Sequence, residues 1–246
     1  HLAGIAHQRA STEAYGQVNV DATLRLARRA AAAGVRCFVF MSSIKAMGAS
    51  RGAGARGEGD CVPPRGDYAL SKWRAESALR DEFAGGPMAL VILRPALVYG
   101  PGAKANLAML AGAVRRGLPR PPAIGARSMI ALQDLASLCC ELGEAPPAGA
   151  NTWIVCDGEA YSTRRLYRAM RAALGRGPGL AWCPAWVWRL ALSALDRGRA
   201  GDDGAWEKLF GTELYSGAAL AAARGWSPRY RFEDLAGEVM GAGAVR

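Results

Sequence analysis

Histidine is nearly absent from this chain: His1 and His7, both at the extreme N-terminus, are the only two in 246 residues. A histidine-rich zinc centre or a Ser/His/Asp triad therefore has almost no material, and proton transfer must fall to other groups. Lysine is scarce too, with Lys45, Lys72, Lys104 and Lys208 the only ones among 31 basic residues. No run of about eighteen apolar residues occurs, and the most apolar stretch, Leu180 to Leu195, is broken by Pro184 and Arg189, so no membrane span is expected. The six cysteines, Cys37, Cys61, Cys139, Cys140, Cys156 and Cys183, include no C-x-x-C pair. Several sit in apolar segments where a free thiol packs as a small hydrophobe, which suits a reduced, cytoplasmic setting. Residue 1 is not Met and nothing near it resembles a signal peptide, so the native start is expected to lie elsewhere.

What is present is ample apolar material, 51% hydrophobic against 21% charged, enough for one large core or two modest ones. The net charge of +10 comes mostly from arginine. These arginines are scattered through Ala-rich helices rather than interleaved with aromatics, which reads as solvated helix backs and needs no nucleic acid. Arg127 is set apart as a candidate for an anionic substrate.

Residues 13 to 33 carry apolar positions at helical spacing and are followed by Gly34, which predicts a helix. Arg36 to Met41 is an apolar run too short for a helix and reads as a buried parallel strand, as does Ala89 to Leu93. Between them lie a Gly/Arg/Pro/Asp-rich loop over 48–67, expected to be mobile, and a helix from Asp67 to Phe83. This alternation gives β-α-β units and a parallel sheet of the α/β class. Further on, helices are expected near 106–116, 133–142, 163–174, 185–195, 217–224 and 232–240, with a strand near 152–156. Trp182, Trp186 and Trp188 fall close together, and aromatics so spaced are read as core or interdomain packing rather than a membrane-surface or partner-binding helix.

Chemistry enters with Tyr68 and Lys72, whose spacing of four puts both polar ends on one helical face. A neighbouring ammonium is expected to lower the phenol pKa from its reference near 10 and make it competent in proton transfer at neutral pH. Ser42 and Ser43 end the first strand, where ligands of open parallel sheets bind. Ser43, Tyr68-x-x-x-Lys72 and Leu93-Arg94-Pro95-Ala96-Leu97-Val98-Tyr99-Gly100-Pro101-Gly102 together resemble the NAD-dependent epimerase/dehydratase family of extended short-chain dehydrogenase/reductases. Gly225-Trp226-Ser227-Pro228 resembles the Gly-Trp-x-Pro near that family's C-terminus, and the likeness covers nearly the whole chain.

The resemblance implies a partial Rossmann-type doubly wound parallel sheet lacking its first strands, over residues 1–103, and a smaller, mostly helical substrate-binding region over 104–246, with 133–157 returning to the sheet. It implies Tyr68 as acid/base, Lys72 on the cofactor ribose, and Ser43 on the reacting sugar oxygen. Asn19, Ser42, Arg94, Pro95 and Val98 join Tyr68 and Lys72 on the cofactor side, Asn19 through the central helix and Arg94 and Pro95 through the backbone that follows them. Asn106, Leu107 and Arg127 are implied on the substrate phosphates. The cofactor is NAD, with NADP open, the substrate a nucleotide-sugar, and a homodimer through the two long helices is suggested; no metal is expected.

The family opens with a strand and G-x-x-G-x-x-G, whose glycines and helix N-terminus receive the pyrophosphate. No such motif occurs here, and Gly52-Ala53-Gly54-Ala55-Arg56-Gly57 follows a loop rather than a strand, so an N-terminally truncated Rossmann domain is expected. Family dehydratases carry acidic residues just after the strand-end hydroxyl, where this chain has Ile44 and Lys45. That disfavours dehydration and leaves a nucleotide-diphosphate-sugar 4-epimerase or 4-ketoreductase. The alternatives are a reductase of a steroid- or flavonoid-like ketone and a non-catalytic dinucleotide-sensing module.

Overall fold

A computed structural model describes residues 1–6, 10–49, 54–103, 105–181, 183–196 and 204–241. Its elements in chain order are α1 (Thr12–Tyr15), running through a π-helical segment (Gly16–Asp21) into α2 (Ala22–Ala32), then β1 (Cys37–Met41), α3 (Asp67–Phe83), β2 (Ala89–Pro95), β3 (Leu97–Tyr99) and α4 (Ala105–Arg115). They continue with β4 (Met129–Ala131), α5 (Leu132–Glu144), β5 (Ala150–Val155), α6 (Thr163–Ala173), α7 (Ala185–Asp196), α8 (Ala205–Phe210), α9 (Ala218–Arg224) and α10 (Phe232–Val239). The fold is α/β and divides into two compact units: His1–Ala96 with Leu135–Val155 and Tyr215–Trp226, and Leu97–Asp134 with Cys156–Leu214 and Ser227–Arg246.

The first unit is built on a three-stranded parallel sheet in the order β1-β2-β5, with Val39 opposite Val91 and Ile92 opposite Thr152. Every residue of the central β2 is buried, which is why Ala89–Leu93 is a continuous apolar run rather than an alternation. Phe38, Phe40, Leu90 and Ile92 meet Ala27 of α2 and Ala75, Leu79 and Phe83 of α3 in one core cluster. The chain start lies along β1: the His1 amino group donates to Val39 O at 2.8 Å, and Met41 N donates to His1 O at 3.1 Å.

The loop expected to be mobile is, over its described part, tied down. Arg56, 7% exposed, donates to the carbonyls of Gly48 (2.8 Å), Met47 (2.7 Å) and Asp60 (2.5 Å). Three backbone oxygens thus find their donor in one guanidinium fork.

The second unit holds the short parallel pair β3 and β4, neither foreseen in the sequence, with Val98 opposite Ile130. Tyr99, Tyr161 and Phe232 meet edge-to-face at 5.4–6.3 Å inside a core that α4, α6 and α10 line. Asp157 is buried beneath them and accepts from Tyr161 Oη (2.7 Å) and Tyr99 Oη (3.2 Å). The tryptophan reading is corrected in part: Trp186 is 67% exposed, while Trp188 meets Phe210 edge-on at 6.3 Å; Trp182 lies outside the described residues. Residues two apart on a helix point to different sides, so Trp186 and Trp188 cannot share one buried face. Among the described residues no helix is long and apolar enough to cross a membrane, and no group of His, Cys, Asp and Glu could hold a metal ion.

Candidate active site

In the first unit the strand ends and α3 place four polar side chains close together. Lys72 is 5% exposed, and its Nζ donates to Met41 O at 2.9 Å and lies 4.7 Å from the centre of the Phe40 ring. Burial pushes its ammonium down to about 8, against the pull of Glu76 one turn further along α3. Ser43 follows β1 and caps the short 3-10 turn Ile44–Met47 by accepting from Lys45 N (3.2 Å). Burial pushes the Tyr68 phenol up, and the Ser43 hydroxyl works in the opposite direction. The expectation of a phenol lowered by Lys72 is therefore not met in this structure. The ammonium is turned toward Met41 O and the Phe40 face, and desolvation of the phenolate outweighs it.

Asn19 sits in the π-helical segment and is wholly buried. Its Oδ1 accepts from Ile5 N (2.8 Å), and its Nδ2 donates to Ile5 O (3.0 Å) and Ser71 Oγ (2.9 Å). It thereby fastens the 4–5 backbone to α3. A π turn inserted in an α-helix, as at many functional sites, swings one side chain out of the regular stripe. The side chains of Ser42 and Arg94 are both buried and turned onto Glu76, with Ser42 Oγ donating to Oε1 at 2.5 Å and Arg94 Nη2 to Oε2 at 2.6 Å. Only their backbone is open to a cofactor role. Pro95 ends β2 and Val98 belongs to β3 of the second unit.

In the second unit a small open groove is lined by Leu97, Asn106, Leu107, Arg127, Tyr161 and Lys208, among others. Arg127 pairs with Glu213 (3.1 Å) and donates to Glu207 O (2.6 Å); its Nε is buried with no partner among the described residues. Asn106 Nδ2 donates to Lys208 O at 2.9 Å. Leu107 is 2% exposed and belongs to the core cluster, so it offers a ligand backbone rather than side chain. Sequence reasoning missed α8, whose Glu207 and Lys208 carbonyls both candidate side chains grip, and it missed Glu76.

Residues 1–145 match the profile of the NAD dependent epimerase/dehydratase family. This chain belongs to that family. A family member named UDP-glucose 4-epimerase from Vibrio cholerae is 35% identical over 201 residues, covering 77% of this chain and 61% of the relative. A protein named ceramide reductase from Caulobacter vibrioides is 28% identical over 187 residues, covering 75% of this chain and 52% of the relative. The chain thus spans between half and two thirds of the length of these curated relatives. The Bordetella bronchiseptica enzyme WbmG, solved with NAD and UDP, shares the fold at a TM-score of 0.74 and 18% identity, over 97% of this chain and 70% of that one.

The cofactor implied by the family can be tested against the first unit. Lys72 carries three N–H donors and gives one to Met41 O. Residue 4 beside it is glycine, where a Cβ would fall 2.9 Å from Asn19 Oδ1 and 3.5 Å from Lys72 Nζ. An ammonium with free donors, a phenol and a glycine-lined approach fit the hydroxyls of a nicotinamide ribose. The glycine motif that would receive the pyrophosphate is not within these 246 residues.

Proposed function

We propose that this chain is the Tyr/Lys-bearing portion of an NAD(P)-dependent nucleotide-diphosphate-sugar 4-epimerase or 4-ketoreductase, in which Tyr68 is the acid/base. The observation that carries the reading is the buried Lys72 ammonium, one turn of α3 after Tyr68, bonded at 2.9 Å to Met41 O at the end of β1, two residues before Ser43. When bound, the nicotinamide dinucleotide supplies reversible hydride acceptance from the sugar C4. Tyr68 Oη takes the proton of the hydroxyl on that carbon and returns it. The buried phenol, held protonated at neutral pH, suits delivery of a proton to a carbonyl. In the other direction Ser43 stabilises the phenolate by hydrogen bonding, and Lys72 is assigned to the hydroxyls of the nicotinamide ribose. Ser43 also holds the reacting sugar oxygen, while Asn19 keeps the 4–5 backbone in place beside Lys72.

Arg127 and Asn106 are assigned to the nucleotide diphosphate, since a guanidinium fork meets phosphate oxygens bidentately. A homodimer through α2 and α3 belongs to the same reading. Tyr68→Phe in the full-length protein tests it: turnover of a UDP-hexose should fall about a hundredfold or more. Unchanged turnover removes Tyr68 from the mechanism.

A second reading, reduction of a ketone that is not a sugar, is favoured by one observation. Arg127 and Asn106 are already engaged with Glu213 and the α8 backbone. The name of the Caulobacter relative points the same way.

A further inference from the structure

Glu76 has no exposed surface, yet no apolar role: it is a carboxylate at the centre of a polar network beneath the Ser43, Tyr68 and Lys72 group. Its Oε1 accepts from Ser42 Oγ (2.5 Å) and Arg94 Nε (3.0 Å); its Oε2 accepts from Arg94 Nη2 (2.6 Å) and, more distantly, Arg80 Nη1 (3.4 Å). Arg94 in turn donates through Nη1 to Glu58 O and Cys61 Sγ, each at 3.2 Å, and Glu58 accepts from Ile154 N at 2.9 Å. One carboxylate therefore links α3, the ends of β1 and β2, the loop after β1, and, through Glu58, β5.

Such a pair is not explained by stability. Taking a carboxylate and a guanidinium out of water costs about what their attraction returns, and well-packed apolar residues serve a core as well or better. What a fully satisfied buried network adds is a single geometry. The face of α3 that carries Tyr68 and Lys72 carries Glu76 one turn further on. Lys72 holds β1 through Met41 O, and Glu76 holds the next residue through the Ser42 hydroxyl. Two successive residues of the strand end are thus bonded to two successive turns of the helix, directly before Ser43.

We infer that Glu76 is a positioning residue: through Ser42 and Arg94 it locks the end of β1 to α3 and so fixes where the Ser43 hydroxyl stands relative to Tyr68. The inference rests on the acid/base role proposed for Tyr68, and its test separates the two. Ser42→Ala and the double replacement Glu76→Met with Arg94→Met are made in the full-length protein. Amide hydrogen exchange, kcat, KM and the thermal midpoint are measured.

Ser42→Ala should speed exchange across residues 43–47 by about five- to tenfold, the loss of one hydrogen bond, while 89–93 stay unchanged. It should lower kcat by about tenfold to a hundredfold with KM within about twofold, as a small misplacement does. The double variant should melt close to the parent, because an apolar pair replaces a buried ion pair, yet keep the low kcat. Parental kcat in either variant, a change in KM alone, or unaltered exchange at 43–47 overturns the inference. If the parent turns over no nucleotide-sugar, the proposed function fails while the exchange comparison still decides the role of Glu76.

Discussion

Burial holds the Lys72 ammonium at about 8 against an ordinary 10.5. A lysine depressed in the folded state loses its proton earlier there than in the unfolded chain, so between the two values the unfolded chain binds more protons and stability rises with pH. Below about pH 8 both states are charged and the burial cost is present in full; it is lifted as pH climbs toward the unfolded value. At about 1.4 kcal/mol per pH unit the whole span is worth about 3 kcal/mol, of which about 2 kcal/mol should accrue between about pH 7 and about pH 9.5. Lys72→Met removes the titration and keeps an apolar stem against Phe40. The Cys37 and Cys139 thiols and the Tyr68 phenol, all pushed up by burial, erode stability as pH rises, but they are common to both proteins and cancel in the difference. Urea unfolding of the full-length protein and the variant at both pH values reads the effect. The parent should gain about 2 kcal/mol more than the variant; gains equal to within about 0.5 kcal/mol would refute a desolvated Lys72.

Gly125 stands at φ +68, and a Cβ there would fall 2.0 Å from Phe210 O, so Gly125→Ala should cost about 2 kcal/mol or more and lower the thermal midpoint by several degrees. Gly4→Ala, which drives a Cβ against Asn19 Oδ1, should cost about 1–3 kcal/mol by thermal melting and weaken the grip of Asn19 on Ile5. Arg127→Ala should raise the KM for a UDP-sugar about tenfold or more with kcat little changed, the loss of a charged hydrogen-bonding group. An unmoved KM would instead favour the non-sugar ketone.

The sheet was legible because Cys37–Met41 and Ala89–Leu93 are apolar without interruption and too short for helices. α3 was legible for the same reason as its chemistry: Tyr68 and Lys72 announce a face. β3 and β4, at three residues each, are too short to carry a period, and the six-residue α8 likewise. Glu76 reads in the sequence as one more solvated helix charge. Its burial is decided by Arg94 eighteen positions on and Ser42 thirty-four back, contacts that no local pattern contains. The one available signal was the continued spacing of four, Tyr68, Lys72, Glu76, which extends the polar stripe of α3 by one turn. The tied-down loop was missed likewise, since Gly and Pro content does not reveal that Arg56 turns inward to bond three carbonyls.

Mixing the NAD-loaded full-length protein with a UDP-hexose and following the near-ultraviolet absorbance of reduced nicotinamide bears most directly on the role given to Tyr68. Absorbance should rise in the parent and rise at least about a hundredfold more slowly in Tyr68→Phe. A flat trace in the parent, or equal rates in the two proteins, would contradict proton transfer at that phenol.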